Sequence, residues 1–204
     1  MDTDKRIRKK QEEKNLTPGE KVKKELLSWI WSLLVAAAVV FLLYTFVFML
    51  IRVEGTSMDT TLADGERLFV TVADMKLNGP FRGEVVICRY PNRGRQNFVK
   101  RVMGLPGDTV ERVDGVTYVT YKDENGETVR ESLDRAPGSY EDYAPYTLDE
   151  DEYFVVGDNR AVSHDSRDWK DSDSSRDVGP IRKNMIIGRV RYVIWPLGDI
   201  RSVE

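Results

Sequence analysis

From Leu26 to Ile51 the chain runs for 26 residues without a charge, bounded by Glu25 and Arg52 and rich in Leu, Val, Phe and Ala. At ~1.5 Å rise per residue, a helix of that length reaches about 39 Å. That exceeds the ~30 Å hydrocarbon thickness of a bilayer, so the run can span a membrane with some tilt. A helix packed on a soluble core would keep a polar face, and this one is apolar all round. A cleaved export signal would have a shorter apolar region followed by a small-residue site, whereas Ala36-Ala37-Ala38 sits in the middle of the run. Residues 26–51 therefore read as an uncleaved transmembrane anchor.

The flanks orient it. Residues 1–25 carry nine Lys or Arg against six acids, and residues 52–204 carry 22 against 28. Positive residues close to a span resist translocation, so the expectation is a cytoplasmic N-terminal segment and an extracytoplasmic C-terminal part. The basic segment is interrupted by Glu12 and Glu13 and abuts the apolar run. It reads as a flank touching anionic lipid rather than as a nucleic-acid arm.

The 153 residues from Arg52 onward suffice for one domain with its own core. Their patterning is mainly of strand type, with candidates at 66–72, 83–90, 98–103, 109–113, 116–121, 153–156 and 185–195. Asp114-Gly115 between two alternating runs is a two-residue hairpin signal, because both turn positions need positive φ; Asn125-Gly126 repeats it more weakly. Between about Asp123 and Glu152 the composition turns acidic, with Pro137, Gly138 and Pro145, which predicts a loop-rich excursion. Ser163–Asp177 is a second polar tract containing Ser-Arg-Asp twice, at 166–168 and 175–177.

Only one Cys and one His are present, which restricts the available chemistry. Cys88 lies in the apolar run Glu84-Val85-Val86-Ile87-Cys88 and reads as a buried, inert thiol; His164 reads as a polar loop residue. No metal or cofactor is expected. The informative pair is Ser57 with Lys100, since a serine and a lysine can hydrolyse amides without histidine. A lysine serves as base only when neutral, and lowering its pKa from ~10.4 to about 8 takes ~3 kcal/mol of differential interaction. Burial among apolar neighbours supplies such a shift, and Lys100 is flanked by Phe98, Val99, Val102 and Met103. Arg101, next along the strand, points to the opposite face.

Four segments carry a resemblance. They are Gly55-Thr56-Ser57-Met58-Asp59-Thr60-Thr61-Leu62, Asp64-Gly65-Glu66-Arg67-Leu68, Val99-Lys100-Arg101-Val102-Met103-Gly104-Leu105-Pro106-Gly107-Asp108, and Gly157-Asp158-Asn159-Arg160 followed by Ser163, Asp165, Ser166 and Arg167. In this order and behind an anchor, they resemble the type I signal peptidases, membrane serine proteases that remove signal peptides from exported proteins. Thr60 stands where that family usually has proline, and residues 169–174 add polar material.

The resemblance implies a mainly β fold: an antiparallel, barrel-like catalytic domain preceded by one N-terminal transmembrane helix. It implies Ser57 as nucleophile, Lys100 as general base and Ser163 as a hydroxyl that orients the amine. Arg101 would pair with Asp158, and Asp165 with Arg167, as ion pairs bracing the site. The Ser57 N–H would hold the oxyanion, and Gly55 would allow close backbone approach to the scissile carbonyl. Shallow apolar pockets for small side chains, of Ala-X-Ala type, would involve Val53, Met58, Leu62, Phe98 and Val99. Implied partners are secretory preproteins, the lipid bilayer and the nearby secretion translocon, with no nucleic acid. Ser57 follows Ile51 by six residues, so at ~3.6 Å per residue it would lie within about 22 Å of the bilayer face. Trp195, Pro196 and Leu197 would dip into the interface or close the core on the last strand.

Two other readings compete. A catalytically idle, assembly-type relative could bind exported or pilus proteins, but the joint presence of Ser57, Lys100 and Ser163 speaks against it. A self-cleaving repressor shares the Ser/Lys logic, but it works in the cytoplasm and has no use for an anchor.

Overall fold

The computed structural model describes residues 17–91, 93–133, 142–169 and 177–203. The basic residues 1–16, most of the polar insertion (170–176) with the start of the second Ser-Arg-Asp copy, and Pro137-Gly138 lie outside that set. The chain divides into two units, Met1–Thr45 and Phe46–Glu204.

The first unit holds helix α1, Pro18–Phe46, all but its last residue. At its start the Glu20 carboxylate reaches back as in one half of a capping box, accepting the Thr17 N–H at 2.9 Å and the Thr17 hydroxyl at 2.8 Å, and Pro18 occupies the first helical position. Side chains 18–41 are exposed throughout, including Trp29, Leu33 and Phe41. The stretch Pro18–Phe41 is long and apolar enough to cross a membrane, and α1 fits a single span.

The helix starts and stops earlier than the uncharged run. The tail of that run, with the arginine that ends it, forms strand β1 (Phe48–Arg52), which pairs antiparallel with β2 (Arg67–Thr71) from Phe48↔Thr71 to Arg52↔Arg67. The cause is tertiary: β1 covers the edge of β2, and the Phe48 and Phe69 rings meet at 4.9 Å.

The second unit is mainly antiparallel β. Further strands are β3 (Val85–Cys88), β4 (Phe98–Gly104), β5 (Thr109–Val113), β6 (Val116–Lys122), β7 (Thr128–Ser132), β8 (Tyr143–Thr147), β9 (Glu152–Val156), β10 (Ile181–Arg182), β11 (Ile186–Trp195) and β12 (Arg201–Ser202). A short helix, α2 (Ala73–Asn78), follows β2. The large sheet runs β1-β2-β11-β3-β4-β9-β10, with β12 on β11, and the small one runs β7-β6-β5-β8. The Asp114-Gly115 turn has φ of 52° and 74°, the left-handed pair that a two-residue hairpin requires, and it joins Val113 to its partner Val116.

The acidic excursion contains more order than its composition predicts. Both β7 and β8 lie within it, each on an outer edge of the small sheet. An edge position tolerates Pro145 and the mostly exposed side chains of β7, which blur the alternation that marks a strand.

Among the described residues the buried apolar side chains form three clusters. One of them, with Val53, Met58, Leu62, Leu68, Val70, Val85, Ile87, Val190 and Val193, lies beneath the loop that carries Ser57.

Candidate active site

Ser57 sits in a turn after β1, held from several sides. The Gly55 N–H, on a residue at φ +91°, donates to Asp64 Oδ1 at 2.8 Å. Met58, with Leu62 beside it, drops into the core as an anchor, each 1% exposed. From the far side the Asn159 N–H donates to the Ser57 carbonyl at 3.0 Å, and Asn159 Nδ2 to the Thr56 carbonyl at 3.0 Å. The Ser57 N–H meets no acceptor among the described residues and remains available.

Lys100 is on β4, between Phe98-Val99 and Arg101-Val102, and is only 2% exposed. Its Nζ lies 2.7 Å from Ser57 Oγ in hydrogen-bonding geometry and donates to the Val99 carbonyl at 3.0 Å. Desolvation pulls the amine below the usual lysine range; the Asp165 carboxylate opposes that shift in part. A lysine so placed exchanges its proton with an adjacent hydroxyl far more readily than a solvated one.

Arg101, on the other face of β4, forks onto Asp158: Nε to Oδ1 at 2.9 Å and Nη2 to Oδ2 at 2.8 Å. The Thr61 hydroxyl also donates to Asp158 Oδ2, at 2.5 Å. Burial would raise the Asp158 pKa, but the hydrogen bonds from Arg101 and Thr61 outweigh it and hold the carboxyl below its ordinary value. Arg167 forks onto Asp165 at 2.9 and 3.0 Å, and Asp165 also accepts the Gly157 N–H at 2.9 Å. Both pairs expected from the resemblance are thus in contact.

Ser163 is placed differently from its expected role. Its Oγ is buried and makes no hydrogen bond, to Lys100 or to any other described group. It packs instead against Gly157: a Cβ added there would lie 2.1 Å from Ser163 Oγ and 2.5 Å from the Ser57 carbonyl oxygen. Only a residue without a side chain fits between them.

A cleft of about 360 Å³ opens beside Ser57 and Lys100. Four of the five expected pocket residues line it, namely Val53, Met58, Phe98 and Val99; Leu62 lies in the core below. Its walls are strand edges. Among the described residues, β1 pairs only with β2, and Phe98–Lys100 pair only with β3, since β9 joins β4 from Arg101 onward. Behind Phe98, Tyr90 stacks at 4.1 Å and donates its hydroxyl to the His164 carbonyl at 2.8 Å. His164 Nδ1 lies 2.9 Å from Asp168, so this residue is built into the loop's packing. Cys88 is fully buried and its thiol, desolvated above all, is pushed up to about 12, far from a working nucleophile.

Sequence reasoning had given no role to Asn159, Gly157, Thr61 or Asp64. All four stand inside the quoted segments, but what each does depends on contacts as far as 103 residues away along the chain.

Comparisons with known proteins show the family. The family described as "Signal peptidase, peptidase S26" matches residues 26–195. A "Signal peptidase I" of Bacillus licheniformis is 35% identical over 89% of this chain and 95% of its own length. A "Signal peptidase IB" of Staphylococcus aureus (strain Mu50 / ATCC 700699) is 33% identical over 88% and 95%. Among solved structures, a signal peptidase I from Enterococcus faecalis V583 is 28% identical over 54% of this chain and 95% of that one, with a TM-score of 0.36.

Proposed function

The chain belongs to the signal peptidase family, peptidase S26, and from that premise we propose that it is a type I signal peptidase in which Ser57 is the nucleophile and Lys100 the general base. One observation carries the mechanism: the Ser57 hydroxyl lies 2.7 Å from an amine that is 2% exposed. The neutral amine accepts the Ser57 proton as Oγ attacks the scissile carbonyl. Charge developing on the carbonyl oxygen is met by the free Ser57 N–H. As the tetrahedral intermediate collapses, the Lys100 ammonium returns that proton to the departing amine, leaving the signal peptide esterified to Ser57. Water, deprotonated by the same amine, then hydrolyses the ester.

The substrate binds as an extended strand between the two open edges, adding to the sheet through backbone hydrogen bonds. Side chains two apart on such a strand face the same way, so the first and third residues before the cut meet the wall of Val53, Met58, Phe98 and Val99. That wall favours small side chains, as in Ala-X-Ala. The basic residues 1–25 stay in the cytoplasm, α1 crosses the bilayer and the β domain lies outside, near the translocon that delivers preproteins. Trp195 and Leu197, 47% and 70% exposed, rest at the lipid interface.

The test is cleavage of a labelled preprotein by the detergent-solubilised chain, with sequencing of the new N-terminus. Cleavage after Ala-X-Ala is expected, with no product from Ser57→Ala. Full activity of Ser57→Ala would end the proposal.

A further inference from the structure

Among the described residues the small sheet contributes no side chain to the cleft, yet three of its contacts end on the loop that holds Asp165. Arg160 Nη1 donates to the Leu133 carbonyl, just past β7, at 2.6 Å. Trp169 meets the rings of Tyr143 and Tyr146 on β8 edge-on, at 5.2 and 4.9 Å. From β5, Arg112 Nη2 donates to the Arg167 carbonyl.

Arg112 is the most unusual of the three. Its side chain faces inward and is 2% exposed, with Nε donating to the Thr117 hydroxyl at 3.3 Å and the guanidinium 5.0 Å from the Tyr143 ring. An apolar residue would fill that inward position with no desolvation cost. Arginine adds donors there, one directed at the Thr117 hydroxyl and one at the Arg167 carbonyl on the site's own loop. We propose that Arg112 is a positioning residue for the Lys100 amine, acting through Arg167 and Asp165, and that the small sheet is the strut of the hydrolytic site. The inference rests on the reading of Ser57 and Lys100 given above.

The connection is short. Arg112 fixes the backbone of Arg167, whose guanidinium holds both Asp165 oxygens, and Asp165 in turn holds the N–H of Gly157, the residue whose open Cα side faces the Ser57 carbonyl. The charged or titratable groups that act on Lys100 are the Cys88 thiol from β3 and Asp158, Asp165 and Arg167 from this loop. Releasing the Arg167 backbone loosens the loop and admits water to the amine. Desolvation is the largest cause of its lowered pKa, so relaxing it raises the pKa and moves the acid limb of activity to higher pH.

The experiment uses the full chain in detergent and measures kcat and KM for a labelled Ala-X-Ala precursor across pH. Arg112→Met is expected to lower kcat about tenfold or more at unchanged KM, with the acid limb displaced upward. Arg112→Lys, which keeps a donor, restores part of both. A folded Arg112→Met with wild-type kcat and acid limb overturns the proposal. So does a loss of activity with the limb unmoved, which is what simple loosening of the fold gives. Should Arg112→Met fail to fold, Thr117→Val removes the acceptor of Arg112 Nε while keeping the side chain's bulk. A smaller upward displacement is expected there, and an unmoved limb overturns the idea equally. Ser57→Ala is run in parallel: activity in that variant removes the dyad itself, whereas its silence beside an unperturbed Arg112→Met removes only the strut.

Discussion

Replacing Gly157 by alanine tests how tightly Ser57 is located. The added Cβ would lie 2.1 Å from Ser163 Oγ, 2.6 Å from Ser163 Cβ and 2.5 Å from the Ser57 carbonyl oxygen, whereas real Cβ contacts essentially never fall below 3.0 Å. The Ser163 hydroxyl can turn away, but its Cβ cannot, and neither can the backbone oxygen of Ser57. It must retreat by about 0.5 Å, the difference between 2.5 and 3.0 Å, straining its 3.0 Å hydrogen bond from the Asn159 N–H and carrying Oγ off the 2.7 Å contact with Lys100. Misplacing a reacting group by ~1 Å costs about a hundredfold in rate, so half that displacement corresponds to about tenfold in kcat. Overpacking should cost about 1–3 kcal/mol of stability, at about 2–4 °C of Tm per kcal/mol for a domain of this size. Single-turnover cleavage and a thermal melt measure the two effects. The double variant Gly157→Ala/Ser163→Gly removes both Ser163 contacts and leaves the one to Ser57. Relative to Ser163→Gly alone, it should regain most of the stability and little of the rate. Wild-type kcat in Gly157→Ala, or recovery of rate together with stability, would refute the reasoning.

Lys100→Met keeps the bulk and removes the charge, so it should be inactive yet melt higher than wild type at neutral pH. Because desolvation lowers the folded-state pKa of Lys100 from 10.5, the native state bears the full penalty while both states are protonated. Wild-type stability relative to Lys100→Met should therefore climb as pH rises from the depressed value toward 10.5, and melts across that range showing the gap widening instead would be fatal to the buried amine. Cys88, fully buried with its thiol pushed up to about 12, should resist iodoacetamide in the native protein and react after denaturation in urea, as followed by mass spectrometry. Alkylation of the native protein at the rate of a free thiol would contradict the packing.

Legibility in the sequence followed the reach of the forces involved. Local signals were read correctly: the Asp114-Gly115 hairpin, the strand at Thr109–Val113 and the alternation at Ile186–Trp195 depend on near neighbours. The end of the uncharged run did not follow from composition, because Phe48–Arg52 suits a helix as well as a strand until β2 is there to pair with it. Pro145 hid β8 for a related reason: only its place at a sheet edge makes proline harmless. At the site, Ser57 and Lys100 stood out because their residue types carry unusual chemistry. The packing role of Ser163 did not, since a serine that touches Gly157 reads like one that binds an amine.

A single nitrogen beside Ser57 also sets a timetable. A neutral amine has one lone pair, and Lys100 spends an N–H on the Val99 carbonyl, so it can take up one proton and no more. On the proposed chemistry it stays occupied until the mature protein's new amino terminus has claimed that proton. Hydrolysis of the ester has to wait for this exchange, so the two halves of the reaction run in strict succession without a lid or a second base to separate them.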